Sequence, residues 1–193
     1  MTFLSIDIDF WNDLPPKRLR ADLTRIVESL QSRQIHVQVV MNHQQMLADV
    51  SKAQAQRLVN VDMHSDLCGG APQDLTCGNW VAHVPWRSTG QYVWVRRHSR
   101  REGECDYPHV FGPNGRAINA VWRHASTKRV RQFPWAELGN GVCAAGVCMS
   151  PGYCDSGHDL VLRDIIKGYG IPYRRGRYAW DLEPSRSRGL FTA

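Results

Sequence analysis

Asp62, His64 and Asp66 stand at alternate positions where the apolar run Val59-Asn60-Val61 ends. In an extended strand residues two apart point the same way, so these three side chains are expected to converge at or just beyond the strand's end. A dehydrated carboxylate cluster is costly unless something positive sits in its middle, and a divalent cation is the usual answer. A strand running into a solvated polar turn explains the string equally well on its own. A second stretch shifts the balance. Thr2 to Phe10 alternates cleanly, with Leu4, Ile6, Ile8 and Phe10 on one face and Ser5, Asp7 and Asp9 on the other. Carboxylates on the second face of a buried strand have no ready structural explanation and call for a cation.

His43 also follows a strand-like run. A single histidine there is more often a cap or a surface residue, but its placement beside two acid clusters favours a ligand. Asp7, Asp9, His43, Asp62, His64 and Asp66 then form an oxygen-rich set whose four formal negative charges balance two dications. Such sets lean toward manganese over zinc. Two ions close together lower the pKa of a bridging water and hold it as hydroxide for attack on a flat electrophilic carbon. The near-neutral site would tolerate a cationic substrate such as a guanidinium.

The elements that must position these residues alternate in type. After the first strand, Leu14-Pro15-Pro16 suits the entry to a helix. Leu19, Leu23, Ile26, Val27 and Leu30 then recur at helical spacing between Lys17 and Arg33. Ile35 to Met41 reads as a second strand and Gln44 to Arg57 as a second helix, before the Asp62 strand. Strand, helix, strand, helix, strand is the pattern of a mainly parallel sheet with helices on its faces, a three-layer α-β-α fold of the α/β class. Sites in such sheets form at the carboxyl ends of strands, where the candidate ligands all lie.

Farther along, Gly78 to Trp86 combines two tryptophans with His83. It reads either as a short helix packed by its aromatics or as a pocket wall in which His83 transfers a proton. Gln91 to Arg96 reads as a strand, and Arg97 to Arg116 as an irregular charged loop carrying Glu102, Glu104 and Asp106. Ala117 to Leu138 has two apolar patches separated by a basic run from Arg123 to Arg131, the usual mark of a solvated face. Val142 to Met149 is expected to be a buried strand, with Ser150 to Asp155 as another strand-end loop facing the site. Asp159 to Lys167 closes the pattern as a helix, and Tyr173 to Ala193 is an arginine-rich tail, partly disordered or a docking arm.

Length and composition set the frame. A chain of 193 residues with 42% hydrophobic and 22% charged residues fits one soluble domain spanning 1–193. No apolar run approaches the roughly 20 residues of a membrane span, and the chain enters a strand at once, without the features of a signal peptide. The expectation is a cytoplasmic protein with no membrane partner. The six cysteines include no Cys-x-x-Cys pair, which removes support for a zinc ribbon or a thioredoxin-type motif and leaves reduced thiols. The net charge of +6 suits nucleic acid, an anionic surface or an acidic protein partner alike. A homo-oligomer is left open.

Asp62-Met63-His64-Ser65-Asp66 resembles the Asp-Ala-His-x-Asp motif of the arginase and agmatinase superfamily, and Ser5-Ile6-Asp7-Ile8-Asp9 its Ser-x-Asp-x-Asp motif. His43 is placed like that superfamily's first histidine ligand. More closely, Val39 to Gln44, Asp62 to Leu67 with Asn79-Trp80, and Ser150-Pro151-Gly152-Tyr153 are similar to an arginase-like family that includes the peptide arginases of ribosomal peptide biosynthesis. Those enzymes convert arginine side chains within a precursor peptide into ornithine and release urea. The free-arginine enzymes carry the Ser-x-Asp-x-Asp strand late in the chain, whereas here it comes first.

The resemblance implies an arginase/deacetylase-like fold and two Mn2+ ions. One would be held by His43, Asp62, Asp66 and Asp7, the other by Asp62, His64, Asp7 and Asp9, with Asp62 and Asp7 bridging. It makes His83 the candidate for protonating the leaving amine. Trp80, Tyr153 and Asp155 are the candidate substrate contacts, with Glu102, Glu104 and Asp106 as alternatives for the acid that pairs with the guanidinium. The short chain suits an open site and a peptide substrate, whose acidic leader the basic tail would attract. Two other readings stand beside it: another C–N hydrolase of the same fold, agmatinase-like or deacetylase-like, and a basic nucleic-acid-binding protein with a structural metal.

Overall fold

A computed structural model describes residues 1–67, 74–85, 90–96, 109–111, 117–124 and 141–174, with backbone alone at 96, 109–111 and 117–124. Strand β1, Thr2–Asp7, is buried throughout. Helix α1, Pro16–Ser32, begins with Pro16, whose missing N–H costs nothing in the first turn. Its apolar stripe Leu19, Leu23, Ile26, Val27 and Leu30 is buried, each side chain stabilising the fold by about 1.5–3 kcal/mol. Strand β2, His36–Val40, follows, then helix α2, Leu47–Lys52, and strand β3, Arg57–Val61. Strands β4, Gln91–Arg96, β5, His109–Phe111, and β6, Ala117–His124, come next. Strand β7, Val142–Cys148, leads into helix α3, Ser156–Tyr169, which ends at Gly170 with φ 61°, a left-handed cap that suits glycine. The two-residue strand β8, Tyr173–Arg174, is the last described element.

Among the described residues these strands form one sheet in the order β5-β6-β4-β3-β1-β7-β2-β8. Every pairing is parallel except β5 with β6. The even-numbered side chains Leu4 and Ile6 pack with α1 and α3 in one core, beside Val59, Val61, Val147, Leu162 and Ile165. The alternate side chains face the other way. Phe3, Leu58, Tyr92, Trp94 and Cys148 pack with Met46 and Val50 of the α2 segment and with Trp80 and Val81. The mainly parallel α/β sheet expected from the sequence is present, with helices on both faces.

From β1 the chain crosses to β2 on one side, beyond β7, and then returns to β3 on the other. Such a reversal opens a crevice at the carboxyl ends of the strands. β1 pairs directly with β3, Ile6 opposite Val61, so the two acid-bearing strands end side by side.

Several expected boundaries shift for local reasons. The first strand stops at Asp7, and Ile8–Trp11 form a 3-10 turn because the Asp7 carboxylate accepts the Asp9 N–H. The helix expected over Gln44 to Arg57 is a 3-10 turn, His43–Met46, followed by the short α2. It ends near Gln54, whose φ of 48° turns the chain, and Arg57 already belongs to β3. The loop expected from Arg97 to Arg116 contains β5. Arg174, placed by sequence in a tail read as partly disordered or a docking arm, donates to Gln45 O, Gln38 Oε1 and Asp49 Oδ1. The rest of that tail, from 175 onward, lies outside the described residues, as do Glu102, Glu104, Asp106, and 125–131 of the basic run. No helix among the described residues is long and apolar enough to cross a membrane.

Candidate metal centre

The site is built from the ends of four neighbouring strands. Asp7 is the last residue of β1, and Asp62 follows β3 at the next position in register. Asp62 is not continued by a strand. The segment bends, Asp62 Oδ1 accepts the His64 N–H at 2.7 Å, and Asp66 takes a left-handed backbone with φ 54°. Convergence of Asp62, His64 and Asp66 therefore comes from a tight loop, where sequence alone suggests strand alternation. His43 arrives from the end of β2 on its 3-10 turn. That turn is fixed by a capping box in which Gln45 Oε1 accepts the Met41 and Asn42 N–H groups. Asp9 is delivered by the turn after β1 and its Oδ1 accepts the Met63 N–H at 3.3 Å, locking the two loops together.

All six expected ligands meet there, in two lobes. On the inner side His43 Nδ1 lies 2.6 Å from Asp66 Oδ2, 3.3 Å from Asp62 Oδ2 and 3.5 Å from Asp7 Oδ2. On the outer side His64 Nδ1 lies 3.0 Å from Asp9 Oδ2 and 3.7 Å from Asp62 Oδ1. The two oxygens of Asp62 thus face different lobes. Asp7, Asp9, His43, Asp62 and Asp66 are buried, whereas the His64 side chain is 48% exposed, so the outer lobe is the open one.

In each of the groups Asp9-Asp62-His64, His43-Asp62-Asp66 and Asp7-His43-Cys148 the donor atoms lie within 4.8 Å of one another. Asp9 Oδ2 is buried without a hydrogen bond, although His64 Nδ1 is near enough for one. An orphaned buried carboxylate oxygen aimed at an imidazole nitrogen is the arrangement a shared cation would satisfy. Burial pushes the Asp7, Asp9 and Asp62 carboxyls up, Asp9 to about 6, and in each case a neighbouring carboxylate adds to it. Burial opposes charge on His43, but Asp66, Asp7 and Asp62 outweigh it and raise it to about 10. Contacts with Asp62 and Asp9 raise His64 to about 11. Shifts of this kind mean that the cluster holds protons where it lacks a cation, and the buried Asp/His groups have the donors to hold a metal ion.

The supporting shell was not evident as such in the sequence. Asn60 Nδ2 donates to Asp62 Oδ2 at 3.1 Å and reaches Asp66 Oδ2 at 3.4 Å. Trp80 Nε1 donates to Asp66 Oδ2 at 2.6 Å, Trp94 Nε1 to Asp62 O at 3.1 Å, and the Tyr92 hydroxyl to Ser65 O at 2.6 Å. Ser5 Oγ lies 3.5 Å from His43 Nε2, and Ser150 Oγ donates to Asp7 Oδ2. Asn60 and Ser5 had a usable signal: each sits on a strand two residues before an aspartate of the cluster, a spacing that puts both side chains on one side.

The remaining expected site residues distribute differently. Trp80, expected at the substrate, is fully buried and spends its indole N–H on Asp66. Tyr153 is 60% exposed, with its ring edge-on to His64 at 5.9 Å between centroids. The Asp155 side chain is 71% exposed, with His158 Nδ1 at 3.8 Å. His83 closes the 3-10 turn that Trp80 opens and is half-buried. Among the described residues no hydrogen bond or ion pair joins it or Asp155 to the aspartate cluster. No protein-family model, curated protein or solved structure gives a significant match to the chain.

Proposed function

We propose that the protein is a manganese-dependent hydrolase acting on the guanidino group of arginine side chains within a peptide, yielding ornithine and urea. The observation that carries this reading is the division of six ligand-capable side chains into two lobes sharing Asp62. That arrangement suits two ions, His43, Asp66 and Asp7 serving the inner one and His64 and Asp9 the outer; Asp7, expected to bridge as Asp62 does, turns Oδ2 toward His43 while its Oδ1 accepts the Asp9 N–H. The four carboxylates that dominate the donor set favour manganese. When bound, the ions supply a nucleophile at neutral pH by acidifying water. The motif resemblance supplies the reaction class.

The chain's own residues set access and orientation. Buried Trp80, Trp94 and Tyr92 close the inner lobe from behind. Substrate therefore enters past His64 and Tyr153, and the exposed Tyr153 ring offers a flat apolar surface to a planar guanidinium. An opening of this kind suits a side chain presented by a larger peptide. Asp155 is the described candidate for pairing with the guanidinium, and His83 for protonating the leaving amine.

The test is mass spectrometry of arginine-containing peptides incubated with the manganese-loaded protein. Each converted arginine is expected to lose about 42 Da, the CH2N2 that separates a guanidino from an amino group, with one urea released. His83→Ala is expected to keep its manganese and lose rate. No mass change on any arginine peptide by a fully loaded protein would overturn the reading.

A further inference from the structure

Ser150 stands two residues beyond Cys148, the β7 partner of Asp7 in register. It is a buried, non-glycine residue with φ 43°, in the left-handed region that costs an L side chain free energy. Its backbone is fixed from several sides. Its N–H donates to Met41 O at 3.2 Å, while its carbonyl accepts the Tyr153 N–H at 3.0 Å and the Cys154 thiol at 3.1 Å. Unusual backbone held this firmly concentrates where a side chain must be aimed.

What it aims is a hydroxyl. Ser150 Oγ donates to Asp7 Oδ2, the oxygen that faces His43, and the Cys148 sulfur lies 3.3 Å behind Oγ. The other Asp7 oxygen, Oδ1, already accepts the Asp9 N–H at 2.9 Å. Both carboxylate oxygens are therefore tethered, one from the chain that carries Asp7 and one from a strand end far away in sequence. A carboxylate oxygen has two lone-pair directions, so a hydroxyl on one leaves the other for a cation.

We propose that Ser150 is a positioning residue for the metal centre, holding the Asp7 carboxylate in the orientation in which its inner oxygen can ligate. This rests on the cluster being a metal site, and it adds a role for a residue that offers no ligand of its own. Outer partners of this kind commonly contribute about 10–100-fold in metal affinity. The bend that places the hydroxyl also starts the turn to Tyr153, so the loop that orients the inner ligand is continuous with the rim of the open lobe.

The experiment is calorimetric titration of Mn2+ into chelator-treated wild type, Ser150→Gly and Ser150→Ala, with the thermal midpoint of each chain recorded in chelator. Ser150→Gly accepts the left-handed backbone and lacks the hydroxyl, so it is expected to melt with the wild type yet bind Mn2+ about 10–100-fold more weakly. Ser150→Ala is expected to show the same loss of affinity with a lower midpoint. Wild-type affinity in Ser150→Gly, or a loss confined to Ser150→Ala, would overturn the positioning role while leaving the metal centre intact. A wild type that does not bind Mn2+ would overturn both.

Discussion

Asp62 divides its two oxygens between the lobes, Oδ2 toward His43 at 3.3 Å and Oδ1 toward His64 at 3.7 Å. Asp66 reaches only the inner one, at 2.6 Å from His43. This asymmetry separates two substitutions that a sequence motif treats alike. Asp62→Ala is expected to abolish binding of both manganese ions. Asp66→Ala is expected to remove the inner ion and leave the outer one. Metal content of dialysed variants by elemental analysis checks this, and equal stoichiometry in the two would contradict it. That these side chains would meet was legible in the sequence because carboxylates on a buried strand face have few other uses. The role of Trp80 was not, because an aromatic in a mixed-period segment carries no mark of which polar atom its N–H will meet.

The His43 turn depends on packing from beneath. Met46, its last residue, is fully buried, and its sulfur accepts the Ser5 hydroxyl at 3.2 Å. A Cβ added at Gly146 of β7 would stand 2.9 Å from that sulfur and 3.0 Å from its methyl. Gly146→Ala is therefore expected to push Met46 and the turn outward, costing about 1–3 kcal/mol in a urea melt. It is also expected to weaken Mn2+ binding, although residue 146 touches no ligand. Unchanged stability and affinity would show that the turn is held elsewhere. The sequence reveals β1, β4 and β7 through their apolar runs, yet it runs a helix through Gln44 to Arg57. The capping of Asn42 by Gln45 and the left-handed Gln54 decide otherwise, and both are local geometries that hydrophobic periodicity does not carry.

At the scale of the whole molecule, the strand order places the ends of β3, β1, β7 and β2 side by side, so acids and histidines distant in sequence share one buried cluster. That concentration of charge makes folding depend on protons or metal. Asp9 is raised from 3.8 to about 6, and His43 and His64 from 6.5 to about 10 and about 11. Raised pKa values in the fold mean that the folded chain binds more protons than the unfolded one. The contribution of these groups therefore falls with rising pH, first from about 4 to 6 through Asp9 and then from about 6.5 to 11 through the histidines. Urea midpoints in chelator are expected to decline between about pH 6 and pH 9, whereas saturating Mn2+ is expected to reverse the slope, because ligation needs the deprotonated groups. A midpoint in chelator that rises over that range would contradict the assignment.

The sharing of Asp62 between two cations is tested most directly by anomalous diffraction at the manganese edge from Mn2+-soaked crystals. Two peaks are expected, one among His43, Asp62 and Asp66 and one among Asp9, Asp62 and His64. A single peak, or peaks away from the Asp62 carboxylate, would contradict the two-lobed centre.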